Sequence, residues 1–123
     1  MKQLIESRLK GLFRSYKVFR SNGDVITHTI NEFQEWDFDD NHVLTIIQYQ
    51  QHRKKTICHT DQWTLEFHNR RYFINITQPP MRLEVISLNH VGMVVEMSDR
   101  GEKIFFARFP AWERLVKNNL PVL

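Results

Sequence analysis

Cysteine occurs once in the 123 residues, at position 58. A single thiol closes no intramolecular disulfide, so nothing in the chain calls for an oxidising compartment. Its place inside a strand-like run is that of a buried, unreactive thiol. Glycine and proline occur four times each, too few for a collagen-like or linker-rich chain. Four glycines also leave no phosphate-cradling loop, no dinucleotide fingerprint and no Gly-x-Ser-x-Gly elbow. No apolar run approaches the ~18 residues of a membrane span. Lys2, Glu6, Arg8, Lys10 and Arg14 interrupt the N-terminus too often for a leader's apolar core, and a cytoplasmic location is the expectation. Charge of one sign is scarce as well: 17 Lys+Arg against 14 Asp+Glu give only +3. The basic clusters Arg53-Lys54-Lys55 and Arg70-Arg71 are short and are offset by Glu32, Glu35, Asp37, Asp39 and Asp40. Runs of this length read as solvated strand ends, not as a nucleic-acid footprint.

What remains is an ordinary globular composition, 41% hydrophobic and 25% charged. At this length it makes one self-sufficient core, so residues 1–123 read as a single domain. Leu4, Ile5 and Leu9 share a helical face, which predicts an N-terminal helix at about 2–10 ending near Gly11. The period then changes to two. Strands are expected at 12–20 and 24–31 around the hairpin turn Ser21-Asn22-Gly23-Asp24. The segment 33–50 reads as strand, turn at Asp40-Asn41, strand. Further strands are expected at 55–60, 63–67, 72–76, 82–88, 91–97 and 103–109, with turns at His68-Asn69-Arg70, Asn89-His90 and Asp99-Arg100-Gly101. Pro110 ends the series, and Trp112, Leu115, Val116 and Leu120 form a second helical stripe at about 110–120. Eight or nine short strands at this spacing are the habit of an antiparallel sandwich or barrel. Strands 43–49 and 91–97 are apolar on both faces, which calls for a barrel wall covered by a helix or for a surface facing a partner.

This order resembles that of the small lipocalin-like domain proteins of bacteria, relatives of the calycin barrels. The resemblance is carried by the short helix, Gly11-Leu12-Phe13 opening the first strand, Trp36 to Val43 as strand-turn-strand, Trp63-Thr64-Leu65-Glu66-Phe67, and Leu83 to Leu88 leading into Val91 to Glu96. It implies an all-β, eight-stranded antiparallel up-and-down lipocalin-like barrel with short N- and C-terminal helices. In that group the opening is Gly-x-Trp, the ring packing across the closed end under an Arg from near the last strand. Phe13 stands at the Trp position here, and Arg108 is the candidate for the Arg. Phe lacks the indole N–H, so the closure must differ. Such a barrel either encloses one small apolar ligand or is filled by its own side chains, and both alternatives stand at this point.

The inward-facing candidates for a ligand pocket are Trp36, Phe38, Tyr49, Trp63, Phe67, Tyr72, Met93 and Phe106, with Tyr16 and Thr45 added. Bulk combined with N–H and O–H tips is the composition of a small-molecule site, and equally of a plain core. Six histidines, His28, His42, His52, His59, His68 and His90, lack metal-ligand spacing, and Cys58-His59 point to opposite faces of a strand. Asp37-x-Asp39-x-Asn41 imitates a calcium loop but has His42 at the glycine position and Gln48 at the acidic one. No catalytic residue, metal or cofactor is assigned. The expected function is non-enzymatic binding of a small apolar or amphipathic ligand by a monomer or homodimer. The alternative is a filled barrel acting as a protein-interaction module.

Overall fold

Turn chemistry and two-residue periodicity set the elements. A computed structural model describes residues 2–50, 54–77, 80–109 and 111–117. His52, the side chain of Cys58, and the ends of the expected C-terminal helix at 110 and 118–120 lie outside the described residues. The elements are α1 (Lys2–Leu9), β1 (Gly11–Phe19), β2 (Val25–Thr27), β3 (Phe33–Phe38), β4 (Val43–Gln50), β5 (Lys54–His68), β6 (Arg71–Ile76), β7 (Met81–Leu88), β8 (Gly92–Met97), β9 (Glu102–Ala107) and α2 (Ala111–Lys117). Gly23 at φ 92° makes the Asn-Gly turn, and Asn69 and Arg70 at φ 51° and 64° make the left-handed pair between β5 and β6.

Every pairing is antiparallel, and β1 closes the sheet on β9. β2 and β3 lie along successive halves of β1: Lys17 to Phe19 pair with β2, Gly11 to Arg14 with β3. They share one place in the wall, so the nine strands form an eight-position closed barrel. The expected strand at 24–31 is therefore only β2. It stops where Thr29 and Glu32 bridge a tight turn, with the Asn31 N–H donating to Thr29 Oγ1. The expected strands at 55–60 and 63–67 are one strand, β5. It pairs with β4 up to Gln62 and with β6 from Trp63 onward, so Asp61-Gln62 is a change of partner and not a turn.

Inside, a continuous cluster runs from Leu9 and Phe13 through Trp36, Phe38, Trp63, Ile74 and Leu83 to Val95 and Phe106. Edge-to-face rings fill one half: Phe13 lies 6.0 Å from Phe38 and Phe38 lies 5.4 Å from Trp63. α1 covers this closed end, with Leu9 buried and Ile5 packed on the same cluster.

A second cluster lies outside the wall. Trp112 and Val116 of α2 cover Phe33 and Ala107, with Tyr16 and Tyr49 at the edge. The Trp112 indole N–H donates to the Ser15 carbonyl at 2.9 Å. Beneath the helix the Arg14 guanidinium bonds Glu35 at 3.0 Å and lies over the Phe33, Phe109 and Trp112 rings. On the outer face of β4, Tyr49 packs at the edge of this cluster.

Candidate ligand site at the open end

The closed end explains the Gly-x-aromatic opening. The Arg108 guanidinium stacks on the Phe13 ring at 4.1 Å and donates to the carbonyls of Lys10 and Arg8. Gly11 sits at φ 115°, and a Cβ there would meet Arg108 Nη1 at 2.8 Å. The backbone angle calls for glycine, and a Cβ would also push the Arg108 guanidinium from its place. Phe13 thus takes the place of the Trp in the resemblance, with cation–π stacking as the closing interaction and no indole donor.

The opposite end is not filled. A cavity of about 340 Å³ opens there. Its apolar wall is Val18, Ile26, Trp36, Ile46, Met81, Met97 and Ile104, and its polar groups are Arg20, His28, Gln34, Arg100 and Glu102. The Trp36 indole N–H donates to Gln34 Oε1 at 3.2 Å, and Arg20 Nε lies 3.8 Å from Glu102 Oε2. Beside it, among the described residues, β2 pairs only with β1. A polar side slot of about 420 Å³ separates β2 from Gln48 and Gln50 of β4. Arg20, Ile26 and His28 line both spaces.

A lipocalin-like protein from Bacteroides uniformis, solved by crystallography, superimposes on this chain with a TM-score of 0.59. The match covers 83% of this chain and 99% of that one at 14% identity. The fold is a lipocalin-like barrel. No family model matches the chain and no curated protein is similar to it in sequence. Among the described residues no helix is long and apolar enough to cross a membrane.

Within the lipocalin-like barrel the ten expected pocket residues separate. Trp36 lines the open-end cavity. Phe38, Trp63, Met93 and Phe106 are buried in the filled half. Among the described residues, Trp63 Nε1 is a buried side-chain polar atom without a hydrogen-bond partner, at a cost of about 1–3 kcal/mol. Tyr72 packs at the edge of that core, and Phe67, 54% exposed, rests on it with ring centroids 4.8 Å apart. Tyr16, Thr45 and Tyr49 do not face inward. In the β3–β4 register Trp36 opposes Ile46 and Phe38 opposes Leu44, which places these four inside. Thr45 opposite Asp37 and Tyr49 opposite Phe33 therefore lie outside. Tyr49 stacks on Phe33 at 4.7 Å, and its hydroxyl donates to Glu35 Oε2 at 3.4 Å. Tyr16 also belongs to this outer cluster, where burial raises the pKa of its phenol. A strand with two apolar faces gives no parity signal.

The remaining lining residues were missed. β1 carries a bulge between Ser15 and Lys17, so Phe13 and Ser15 face in and then Val18 does. The one available trace was an apolar Val18 out of step with the alternation.

Outside the cavity, the calcium-like triplet caps a turn. Asp39 Oδ1 accepts the N–H groups of Asn41 and Val43 at 2.8 and 3.0 Å. Among the described residues no three His, Cys, Asp or Glu side chains converge on a metal position.

His28 is the imidazole shared by mouth and slot. Ser15 Oγ lies 2.6 Å from its Nδ1 and accepts the Gln34 N–H at 2.9 Å. Burial lowers its pKa below the ordinary 6.5, against smaller opposing effects of Ser15 and Glu32. The unfolded chain then takes up this proton more readily than the folded one. His28 therefore contributes full stability above about pH 6.5, and that contribution is lost as pH falls below it. Urea midpoints measured from about pH 7.5 to about pH 5.5 should fall more steeply in the parent than in His28→Gln. Equal slopes would remove His28 from the pH dependence.

Proposed function

We propose that this barrel binds a small amphipathic ligand non-covalently at its open end. The observation that carries the reading is the half-filled interior: aromatic packing occupies the closed half and leaves a cavity of about 340 Å³ at the mouth. That volume is at the lower end of the ~300–1,000 Å³ of small-molecule sites. Seven apolar side chains would take an apolar body, and Gln34, His28 and the rim arginines would orient a polar end. Trp36 is common to the sequence expectation and to this site. The likeness to a lipocalin-like protein supports a ligand-holding barrel. The interaction-module alternative was motivated by strands 43–49 and 91–97 with two apolar faces and by the amphipathic stripe from Trp112 to Leu120; of these, Trp112, Val116 and Tyr49 pack in one cluster with Phe33 and Tyr16 on the barrel's own wall.

Anilinonaphthalene sulfonate, titrated by fluorescence, is a suitable probe. Met81→Trp and Ile26→Trp add bulk at half-buried rim positions. Each is expected to weaken the probe by about tenfold or more, roughly the loss of one well-buried apolar contact area, with thermal unfolding shifted by only a few degrees. Unchanged affinity in both variants would place the probe elsewhere and overturn the reading. Native mass spectrometry of freshly purified protein, repeated under denaturing conditions, would give the mass of any retained ligand.

A further inference from the structure

Opposite the mouth, a cleft of about 360 Å³ lies outside the closed end, lined by Arg8, Asn89, His90 and Arg108. Three separate pieces of chain bring these groups together: the last turn of α1, the β7–β8 turn and the residue following β9, the turn supplying both Asn89 and His90. Among the described residues that line it there is no carboxylate. Arg108 is held in place by Phe13 below it and by the carbonyls of Arg8 and Lys10 at its edge. Those partners satisfy N–H groups but supply no counter-charge. Among the described residues neither Arg8 nor Arg108 forms an ion pair. Burial acts against the Arg108 charge and lowers its pKa.

Asn89 is oriented as well. Its Oδ1 accepts the N–H groups of Val91 and Gly92 at 2.8 and 3.0 Å, so its NH₂ is the end left to donate elsewhere. The cleft therefore presents two guanidiniums, an amide donor and an imidazole, with no acidic group among the described lining residues to neutralise them. Planar guanidinium forks match the oxygens of carboxylates and phosphates. Charge decides between these two. A phosphate monoester carries about −1.5 to −2 at neutral pH and balances two guanidiniums, whereas a carboxylate balances one.

We propose that the Arg8–Arg108 cleft is a binding site for a phosphate monoester, its phosphoryl group held between the two guanidiniums and flanked by Asn89 and His90. The recognition is by side chains, in keeping with a chain too poor in glycine to build a backbone cradle. The site is independent of the mouth.

The test is calorimetric titration of the full chain with phenyl phosphate and with benzoate, together with amide shifts by NMR. Flotation with phosphatidylcholine vesicles, with and without phosphatidic acid, forms a second arm. Expected are saturable binding of phenyl phosphate, shifts centred on Arg8, Asn89 and His90, and benzoate weaker by about tenfold. Arg8→Gln should weaken phenyl phosphate about tenfold. His90→Gln, in an exposed turn that is not part of α1, should weaken it by about threefold and serves if Arg8→Gln disturbs the helix. Binding of phenyl phosphate assigns the site to a soluble monoester. Arg8-dependent binding to phosphatidic acid vesicles alone assigns it to a lipid headgroup of the same chemistry. Binding in neither arm, affinity unaltered in both variants, or equal affinity for benzoate overturns the proposal. Anilinonaphthalene sulfonate binding at the mouth should be the same in Arg8→Gln as in the parent, so the two sites fail or stand separately.

Discussion

Trp112→Ala is expected to lower the unfolding free energy by about 3–5 kcal/mol, the range for removing a buried tryptophan. The side chain is 2% exposed, its ring lies 4.4 Å from Phe33, and the Arg14 guanidinium is 4.9 Å from it. Its N–H is also the recorded partner of the Ser15 carbonyl on the outer wall. A helix of seven residues has no stability of its own, so loss of this anchor releases α2 as a unit. Phe33 and Tyr49 would then face water, and the protein should become more prone to associate. Trp112→Phe separates the contributions, because it keeps most of the packing and deletes the donor. It should cost about 1–2 kcal/mol. Urea unfolding of both variants checks the pair. A Trp112→Ala protein within about 1 kcal/mol of the parent would show that α2 contributes little to the fold.

Gly92→Ala should be nearly as damaging although it adds a single methyl group. A Cβ at position 92 would lie 2.2 Å from the Phe106 carbonyl oxygen and 3.1 Å from Ala107 Cα, all backbone of β9. No side-chain rotation relieves a clash with backbone, so β8 and β9 must separate where Gly92 pairs with Ala107. Arg108, next in the chain and bonded through its N–H to the Val91 carbonyl at 2.8 Å, would be drawn off Phe13. We expect a loss of about 3 kcal/mol, at the upper end for overpacking, and a melting temperature lower by about 10 °C. Gly23→Ala is the control. No atom lies within 4 Å of a Cβ there and only the positive φ of 92° is at issue, so it should cost about 1 kcal/mol. Equal melting temperatures for the two variants would sink the argument from close backbone approach.

Much of the architecture was legible in short stretches of chain. Asn22-Gly23, Asn69-Arg70 and Asp99-Arg100-Gly101 marked hairpin turns because left-handed backbone is a local matter of residue type. Trp63, Leu65 and Phe67 alternating with Thr64, Glu66 and His68 gave a strand with one apolar face, and β5 contains it. Gly11 and Phe13 pointed to the closed end and Arg108 to its lock, 95 residues from Phe13 in sequence, because the resemblance carried that pairing. Asp61-Gln62 was not legible as a strand interior, since nothing local shows a strand exchanging one neighbour for another.

The candidate site was legible only at Trp36. Tyr49 and Thr45 count among the inward candidates because both faces of β4 carry apolar residues, and parity has no meaning until the pairing with β3 fixes which face is inside. Val18 and His28 reach the mouth through a bulge in β1 and the short β2, and both are set by pairing with distant strands. The sequence by itself determined one all-β domain, most of its turns and the rhythm of its strands, because backbone preference and period-two amphipathicity act over a few residues. Only the tertiary structure decided which face of each strand is inside, where aromatic packing stops and the cavity begins, and that Arg8, Asn89, His90 and Arg108 meet. Those outcomes depend on register and closure among strands far apart in the chain, and no local pattern encodes them.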